Sequence, residues 1–160
     1  MKTIGNLLIL PSLIVAFYSC GNAQDWRVIS PLKSTRAEVE TLLGPTQGAY
    51  SAVYQLKDGS LFIEYSSGPC TPERKGGWNV PENVVVSLSF SPRPRKRFAE
   101  LKIDRKKFRK KIDQRVIGII YYVNDEDGIT YEIQDGKVDS IEYALPRKYD
   151  YLYCGDPPKE

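Results

Sequence analysis

Asp-Gly pairs next to alternating apolar segments constrain this chain more than any other feature of its sequence. Asp58-Gly59 separates two such segments, and Asp135-Gly136 precedes another. This arrangement is typical of a tight β-hairpin, so the chain is expected to build an antiparallel sheet. Alternation in one segment predicts a shared apolar face made of Val84, Val86, Leu88 and Phe90. The predicted strands are residues 49–56, 60–67, 83–92, 116–123, 129–133 and 138–145.

Residues 34–45 predict one short helix before the strands. Thr35 and Glu38 have the spacing of a capping box. Gly44 fits the left-handed position after a helix, and Pro45 prevents its continuation. Three apolar residues share one helix face: Val39, Leu42 and Leu43. Because so short a helix is unstable alone, we expect this face to pack on the sheet. The predicted fold class is therefore α+β, a short N-terminal helix packed on an antiparallel β-sheet with one disulfide.

The first residues have the pattern of a secretory signal. Lys2 precedes an uncharged, mostly apolar run, and small residues follow it. We expect residues 1–23 to be a signal peptide and residues 24–160 to form a single domain with a short disordered C-terminal tail. A retained anchor is one alternative, and lipidation of Cys20 is another. The predicted location is exported, periplasmic or secreted, with a lipid anchor at Cys20 as the alternative.

The cysteines and the absence of histidine limit the chemistry. Beyond Cys20 the chain has only Cys70 and Cys154, and an even number in an exported protein predicts a disulfide between them. The alternative is a catalytic thiolate, which usually needs a histidine partner. The chain contains no histidine, which excludes Ser-His-Asp catalysis and His-ligated metals. We expect no catalytic residue, no cofactor and no metal site.

Residues 93–111 form a strongly basic segment, with eleven Lys and Arg against two acids in a chain of net charge +3. Such a density suits phosphates, anionic lipid headgroups or an acidic protein surface. Phe98 and Phe108 within it are either membrane-contacting side chains or core anchors. Its structure is open between a strand through Leu101 and Ile103 and a helical turn capped by Asp104. The candidate anion-binding residues are Arg93, Arg95, Lys96, Arg97, Arg105, Lys106, Lys107, Arg109, Lys110 and Lys111.

Three smaller features are candidate sites with a plainer structural alternative. Arg36, expected to be exposed at the helix start, is a candidate partner contact, whereas the helix itself more often covers a core. Trp78 in a Gly-rich loop either contacts a partner or packs against the disulfide at the end of the sheet. An acidic run before Gly128 consists of Asp125, Glu126 and Asp127. It is either a polar turn, a loose calcium site or part of a carboxylate-based hydrolase.

Two resemblances add expectations about origin and role. The segment from Thr35 to Pro45 resembles the helix-ending signature of the SmpA/OmlA, or BamE-like, lipoproteins. That resemblance implies a small α+β envelope protein that acts as a scaffold or binding module. The order of residues from Trp26 to Arg36, with Gly77-Trp78-Asn79-Val80-Pro81, is similar to an uncharacterised group of exported bacterial proteins.

The predicted function is an exported, non-catalytic binding or scaffold module of the bacterial envelope, with residues 93–111 as its contact surface. The expected partner is a protein or an anionic envelope component, and no specific nucleic acid. A periplasmic protein that binds anionic lipid or another polyanion is the first alternative, and a carboxylate-based hydrolase is the second.

Overall fold

A computed structural model describes residues 25–73 and 76–155. In this part of the chain, one eight-residue α-helix, α1 (Arg36–Leu43), accompanies a single seven-stranded antiparallel sheet. The predicted helix, antiparallel sheet and disulfide are confirmed, and the α+β class holds only in part because sheet dominates. The strands are β1 (Ser51–Leu56), β2 (Gly59–Tyr65), β3 (Val85–Pro92), β4 (Arg109–Ile112), β5 (Ile119–Asn124), β6 (Ile129–Gln134) and β7 (Lys137–Tyr143).

The sheet consists of two meanders that meet in its centre. Its spatial order is β1-β2-β3-β7-β6-β5-β4, so every neighbouring pair except β3 and β7 is also consecutive in the chain. Three aligned residue pairs join the meanders: Leu88 with Tyr143, Ser89 with Glu142, and Phe90 with Ile141. Because directly opposite residues point to the same side, the pairing gives the whole sheet one covered face and one open face.

The helix α1 has the predicted start and the predicted inward face. Thr35 Oγ1 accepts a hydrogen bond from the Glu38 N–H at 3.4 Å, and Glu38 Oε2 accepts one from the Thr35 N–H at 2.7 Å. Val39 is completely buried, and Leu42 and Leu43 pack beside it. The capping box and the apolar face of this segment are therefore confirmed.

Each meander has a core of its own on the covered face. Under α1 and a 3-10 turn at Trp26–Val28, the first core centres on β2 and β3, and the Trp26 ring lies 4.6 Å from that of Phe90. The second core lies under residues 98–108, where the rings of Phe98 and Tyr122 are 4.2 Å apart. Phe98 is buried and Phe108 packs against the same core. Both phenylalanines are core anchors, and their alternative role as membrane-contacting side chains is wrong.

The structure corrects several sequence-based details of the strands. The register shifts opposite Tyr65, which pairs with Val85, so the side chain that enters the first core is that of Val85. Neither Val84 nor Val86 belongs to that core, although both were predicted to share its face. The fifth strand begins at Ile119, three residues later than expected, and β4 was missed altogether.

The Asp58-Gly59 and Asp135-Gly136 pairs form hairpins in different ways. Asp135 and Gly136 are the two turn residues between β6 and β7, with φ of +52° and +71°, as a type I′ turn requires. In the first hairpin Leu56 pairs with Gly59, so the turn residues are Lys57 and Asp58. Gly59 is instead the first strand residue, where a Cβ would lie 2.3 Å from the Ser91 carbonyl oxygen.

The Cys70–Cys154 disulfide is present and is accompanied by a short backbone ribbon. The Gly76 N–H donates to the Cys154 carbonyl oxygen, and the Cys154 N–H donates to that of Gly77, both at 2.8 Å. The Trp78 ring meets that of Tyr153 edge to face at 5.2 Å. Trp78 therefore packs beside the disulfide at one end of the sheet.

Candidate anion-binding surface

The basic segment crosses the covered face of the second meander from one end of the sheet to the other. It leaves β3 after Pro92 and reaches β4 at Arg109, which pairs with Val123 near the opposite end of β5. Phe98 and Phe108 anchor its backbone in the second core. The charged side chains between these anchors are consequently held in solvent on a fixed backbone.

Three arginines of this segment are engaged by the fold. Arg95 forms a 2.9 Å ion pair with Asp139. The Arg105 guanidinium lies 5.1 Å above the Phe98 ring and donates to the Phe98 carbonyl oxygen. Arg109 lies 3.4 Å from the Asp125 carboxylate. These contacts stabilise the path of the segment and reduce the charge that it offers to a partner.

The other seven candidate cations are exposed. Within the described residues none of them has a carboxylate oxygen within 4.0 Å. We define the basic surface as these seven side chains: Arg93, Lys96, Arg97, Lys106, Lys107, Lys110 and Lys111. Their charges remain available to an external anion.

Local capping explains how two of these lysines are presented. Asp104 Oδ1 accepts a hydrogen bond from the Lys106 N–H at 3.1 Å and caps a 3-10 turn at Arg105–Lys107. The predicted helical turn is thus confirmed as a single 3-10 turn. The predicted strand through Leu101 and Ile103 is wrong, because both side chains sit in a bent segment and pack against the second core.

The position of strand β4 in the sheet explains its positive charge. It is an edge strand that pairs with β5 alone, and all four of its residues are exposed. Lysine and arginine on an edge discourage pairing with another chain. Alternation sends Lys110 and Lys111 to opposite faces of the sheet, so a partner that lies on one face would contact only one of these two charges.

A small cavity lies on the covered face where the two meanders meet. Its volume is about 230 Å³, and Arg93 and Lys96 belong to its lining. The buried Trp26 also lines it, and the indole N–H has no hydrogen-bond partner in the described residues. Sequence reasoning missed this cavity because its walls come from distant segments. The apolar lining includes Phe90, Leu101, Val138, Ile141 and Tyr143.

Three carboxylates on the open face were also missed. Glu142 lies at the centre of the sheet, and partial desolvation raises the pKa of its carboxyl, with a smaller contribution from the charges of Glu64 and Glu132. Ser87 donates to Glu64 at 2.6 Å, and Ser140 donates to Glu132 at 3.2 Å. Little in the sequence indicated that these glutamates share one face, because each of them belongs to a different strand.

Arg36 is not the exposed residue that the sequence predicted. Its guanidinium lies 4.5 Å above the Tyr65 ring and 3.9 Å from Glu40, and its side chain is only 19% exposed. It also donates to the Ala49 carbonyl oxygen. These contacts hold Arg36 against the first meander, so a partner would reach only part of it.

The acidic run is the turn between β5 and β6. Asn124 Oδ1 accepts hydrogen bonds from the N–H groups of Glu126 and Asp127, both at 3.1 Å. Asn124 Nδ2 donates to Asp127 Oδ2 at 2.8 Å. Among the described residues, no group of three or more acidic or cysteine side chains has the geometry of a metal site. The predicted turn is confirmed.

Comparison of the chain with protein-family models, with curated proteins and with solved structures finds no match. The BamE-like resemblance of the helix segment therefore stays a prediction. Across residues 25–73 and 76–155, no helix has the length and apolar character needed to cross a bilayer. The predicted signal peptide and Cys20 lie outside the described residues, as does most of the predicted C-terminal tail.

Proposed function

We propose that this protein is an exported, non-catalytic binding module that holds a polyanion with clustered phosphate groups on its basic surface. The observation that carries the proposal is the combination of seven exposed cations, which form no ion pair within residues 25–73 and 76–155, with a backbone anchored in the core by Phe98 and Phe108. Because the backbone that carries these cations is already anchored, binding does not have to order it, which favours affinity.

The chemistry of the surface suits phosphate groups. Arginine can form two hydrogen bonds to one phosphate group, and lysine acts as a point charge beside it. Binding by several such contacts releases counterions, so affinity should fall steeply as salt rises. The shared ligand chemistry is an array of phosphate groups, whether on a soluble chain or on lipid headgroups.

Inorganic polyphosphate is the probe for this proposal. The variant K106E/K107E reverses two exposed lysines on the 3-10 turn, and K33E/K148E makes the same change in net charge away from the basic segment. We expect K106E/K107E to weaken polyphosphate binding by about tenfold or more and K33E/K148E to weaken it much less. The slope of log affinity against log salt should become shallower by about 0.7 to 0.9 for each lost contact.

Two results would overturn the proposal. One is wild-type protein that does not bind polyphosphate at low salt. The other is an equal loss of affinity in both variants, which would mean that net charge rather than this surface attracts the anion. Circular dichroism and thermal unfolding of each variant would check that the fold is retained.

A further inference from the structure

The loop between β4 and β5 presents aliphatic side chains to solvent at one end of the sheet. Ile117 is 100% exposed, Val116 is 48% exposed, and Ile112 at the end of β4 is 63% exposed. Isolated exposed aliphatic residues are normal on a protein surface. Three of them within six positions, with one fully in water, form an apolar tip, which we define as Ile112, Val116 and Ile117.

Hydrogen bonds to Asp113 give this loop a defined structure. Asp113 Oδ1 accepts hydrogen bonds from the N–H groups of Arg115 at 2.7 Å and Val116 at 3.0 Å. The Tyr121 hydroxyl donates to Asp113 Oδ2 at 3.3 Å, and the Asp113 N–H donates to the Ile119 carbonyl oxygen at 3.1 Å. The backbone N–H groups also lower the pKa of the Asp113 carboxyl. Asp113 thus ties the base of the loop together while Val116 and Ile117 project away from it.

Cations flank the apolar tip. Lys110 and Lys111 lead into the loop, and Arg115 lies within it; all three are exposed. The antiparallel register brings further cations to the same end of the sheet, because β4 ends, β5 begins, β7 begins and β3 ends there. Among these are Arg93, Arg97 and Lys137.

We propose that the apolar tip inserts Val116 and Ile117 into the headgroup–acyl boundary of an anionic phospholipid bilayer, while the surrounding cations contact lipid phosphates. This inference rests on the proposed function and names the source of the phosphate array. Apolar side chains that are exposed to water bind a membrane interface because their apolar surface becomes buried there, and adjacent cations add attraction to anionic lipids.

The charge and the size of the tip favour a bilayer over a second copy of this chain. Two copies that met at this end of the sheet would bring like charges together. A stable protein interface buries at least about 1,000 Å² in total, which three aliphatic side chains cannot supply. A bilayer needs no matching protein surface, and its lipid phosphates complement the flanking cations.

Sedimentation with vesicles tests the insertion. Vesicles of phosphatidylglycerol mixed with phosphatidylcholine are compared with vesicles of phosphatidylcholine alone. The test variant is I117D, and the control is V28D, which adds the same charge at another exposed aliphatic residue, 69% exposed in the N-terminal 3-10 turn. We expect I117D to weaken binding to the anionic vesicles by about tenfold or more, since it removes one inserted side chain. V28D should stay within about twofold of wild type, as a surface substitution away from the contact usually does.

Polyphosphate binding separates this inference from the proposed function. The I117D variant should bind polyphosphate like wild type, whereas K110E/K111E, which reverses two cations that belong to the basic surface and flank the apolar tip, should lose affinity for both probes. Wild type that binds polyphosphate but ignores anionic vesicles would overturn the insertion and leave the proposed function intact. Failure to bind either probe would overturn both.

Fluorescence supplies a second, direct measurement. The variant I117W should gain a blue-shifted emission component with anionic vesicles, and brominated lipids should quench it more than they quench the native Trp26 and Trp78 of wild type. An unshifted emission with vesicle binding retained would show that the tip stays in water and would overturn the insertion. The same conclusion would follow if I117D converted a dimer to a monomer and left vesicle binding unchanged.

Discussion

Glu142 is an accessible carboxylate at an unfavourable position in the sheet. It faces the open side between β3 and β6, where partial desolvation and the charges of Glu64 and Glu132 raise its pKa above the ordinary value of 4.5. A raised pKa means that the folded state binds a proton more tightly than the unfolded state does. This carboxylate therefore lowers stability as pH rises from its unfolded pKa through its folded pKa.

The variant E142Q tests whether the Glu142 carboxylate lowers stability at neutral pH. At pH 7 we expect a small increase in the free energy of unfolding, below about 1 kcal/mol because the group is accessible to solvent. The increase should disappear well below pH 4.5, where both the folded and the unfolded protein carry a neutral carboxyl at this position. Urea unfolding at several pH values measures it, and a variant less stable than wild type at pH 7 would contradict the assignment.

Residue-scale roles were only partly predictable from the sequence. The core positions of α1 followed from spacing alone, since Val39 is fully buried as its periodicity indicated. The exposure of Arg36 was wrong because the ring that receives its guanidinium, Tyr65, belongs to a strand nearly thirty residues away. Local patterns carry no information about such a distant neighbour.

At the scale of elements, α1 depends on its capping box. We expect T35A to lower the free energy of unfolding by about 1 kcal/mol, because it removes the oxygen that accepts from the Glu38 N–H. The matched control is T41A in the same helix, where the hydroxyl bonds the Ala37 carbonyl and alanine is the better helix former. Denaturant unfolding of both variants measures the difference. Equal losses would contradict a specific capping role.

The two hairpin glycines should respond differently to alanine. In G59A the new Cβ would meet the Ser91 carbonyl oxygen of β3, so β2 or β3 must shift. In G136A the turn is strained by its positive φ, but nothing lies within 4 Å. We expect G136A to cost about 1–2 kcal/mol and G59A to cost more. Thermal unfolding ranks the two variants, and the reverse order would contradict the close contact.

Strands were predictable wherever side-chain alternation reflects one buried face. Residues 109–112 lack that signal because all four are exposed, and β4 forms only because β5 offers a free backbone edge. The predicted face of β3 is confirmed for Leu88 and Phe90, and it is wrong only at the start of the strand, for a related reason. One register shift at Tyr65 moves Val85 into the core, and alternation alone cannot indicate where such a shift occurs.

At the scale of the whole molecule, the disulfide links the two meanders. Cys70 follows β2 of the first, and Cys154 lies beyond β7 of the second, 84 positions later. Closing so long a loop lowers the entropy of the unfolded chain, with a ceiling of about 4–5 kcal/mol. We expect C70S/C154S to lose about 2–4 kcal/mol of unfolding free energy. Reduced wild type should match the variant in denaturant unfolding, and no loss in either would contradict this role.

The way in which the two meanders join could not be predicted from the sequence. Parity and compartment predicted the Cys70–Cys154 pair, and local patterns predicted most strands, but nothing local indicated that β3 pairs with β7. That contact joins residues about fifty positions apart through only three aligned pairs. The basic surface was evident from composition, whereas the apolar tip became visible only when Ile117 was found outside every core.

The disulfide also decides which strands would bear a mechanical load. If the oxidised protein is pulled from Asp25 and Gly155, tension passes from Cys70 to Cys154 through the sulfur atoms, and the intervening chain is bypassed. The helix α1 and strands β1 and β2 lie in the load path, and β3 to β7 lie outside it. The longest extension would be roughly 160 Å, the reach of the chain from Asp25 to Cys70. Stretching would thus strip two strands from the sheet while the basic surface and the apolar tip stayed within an unloaded covalent ring.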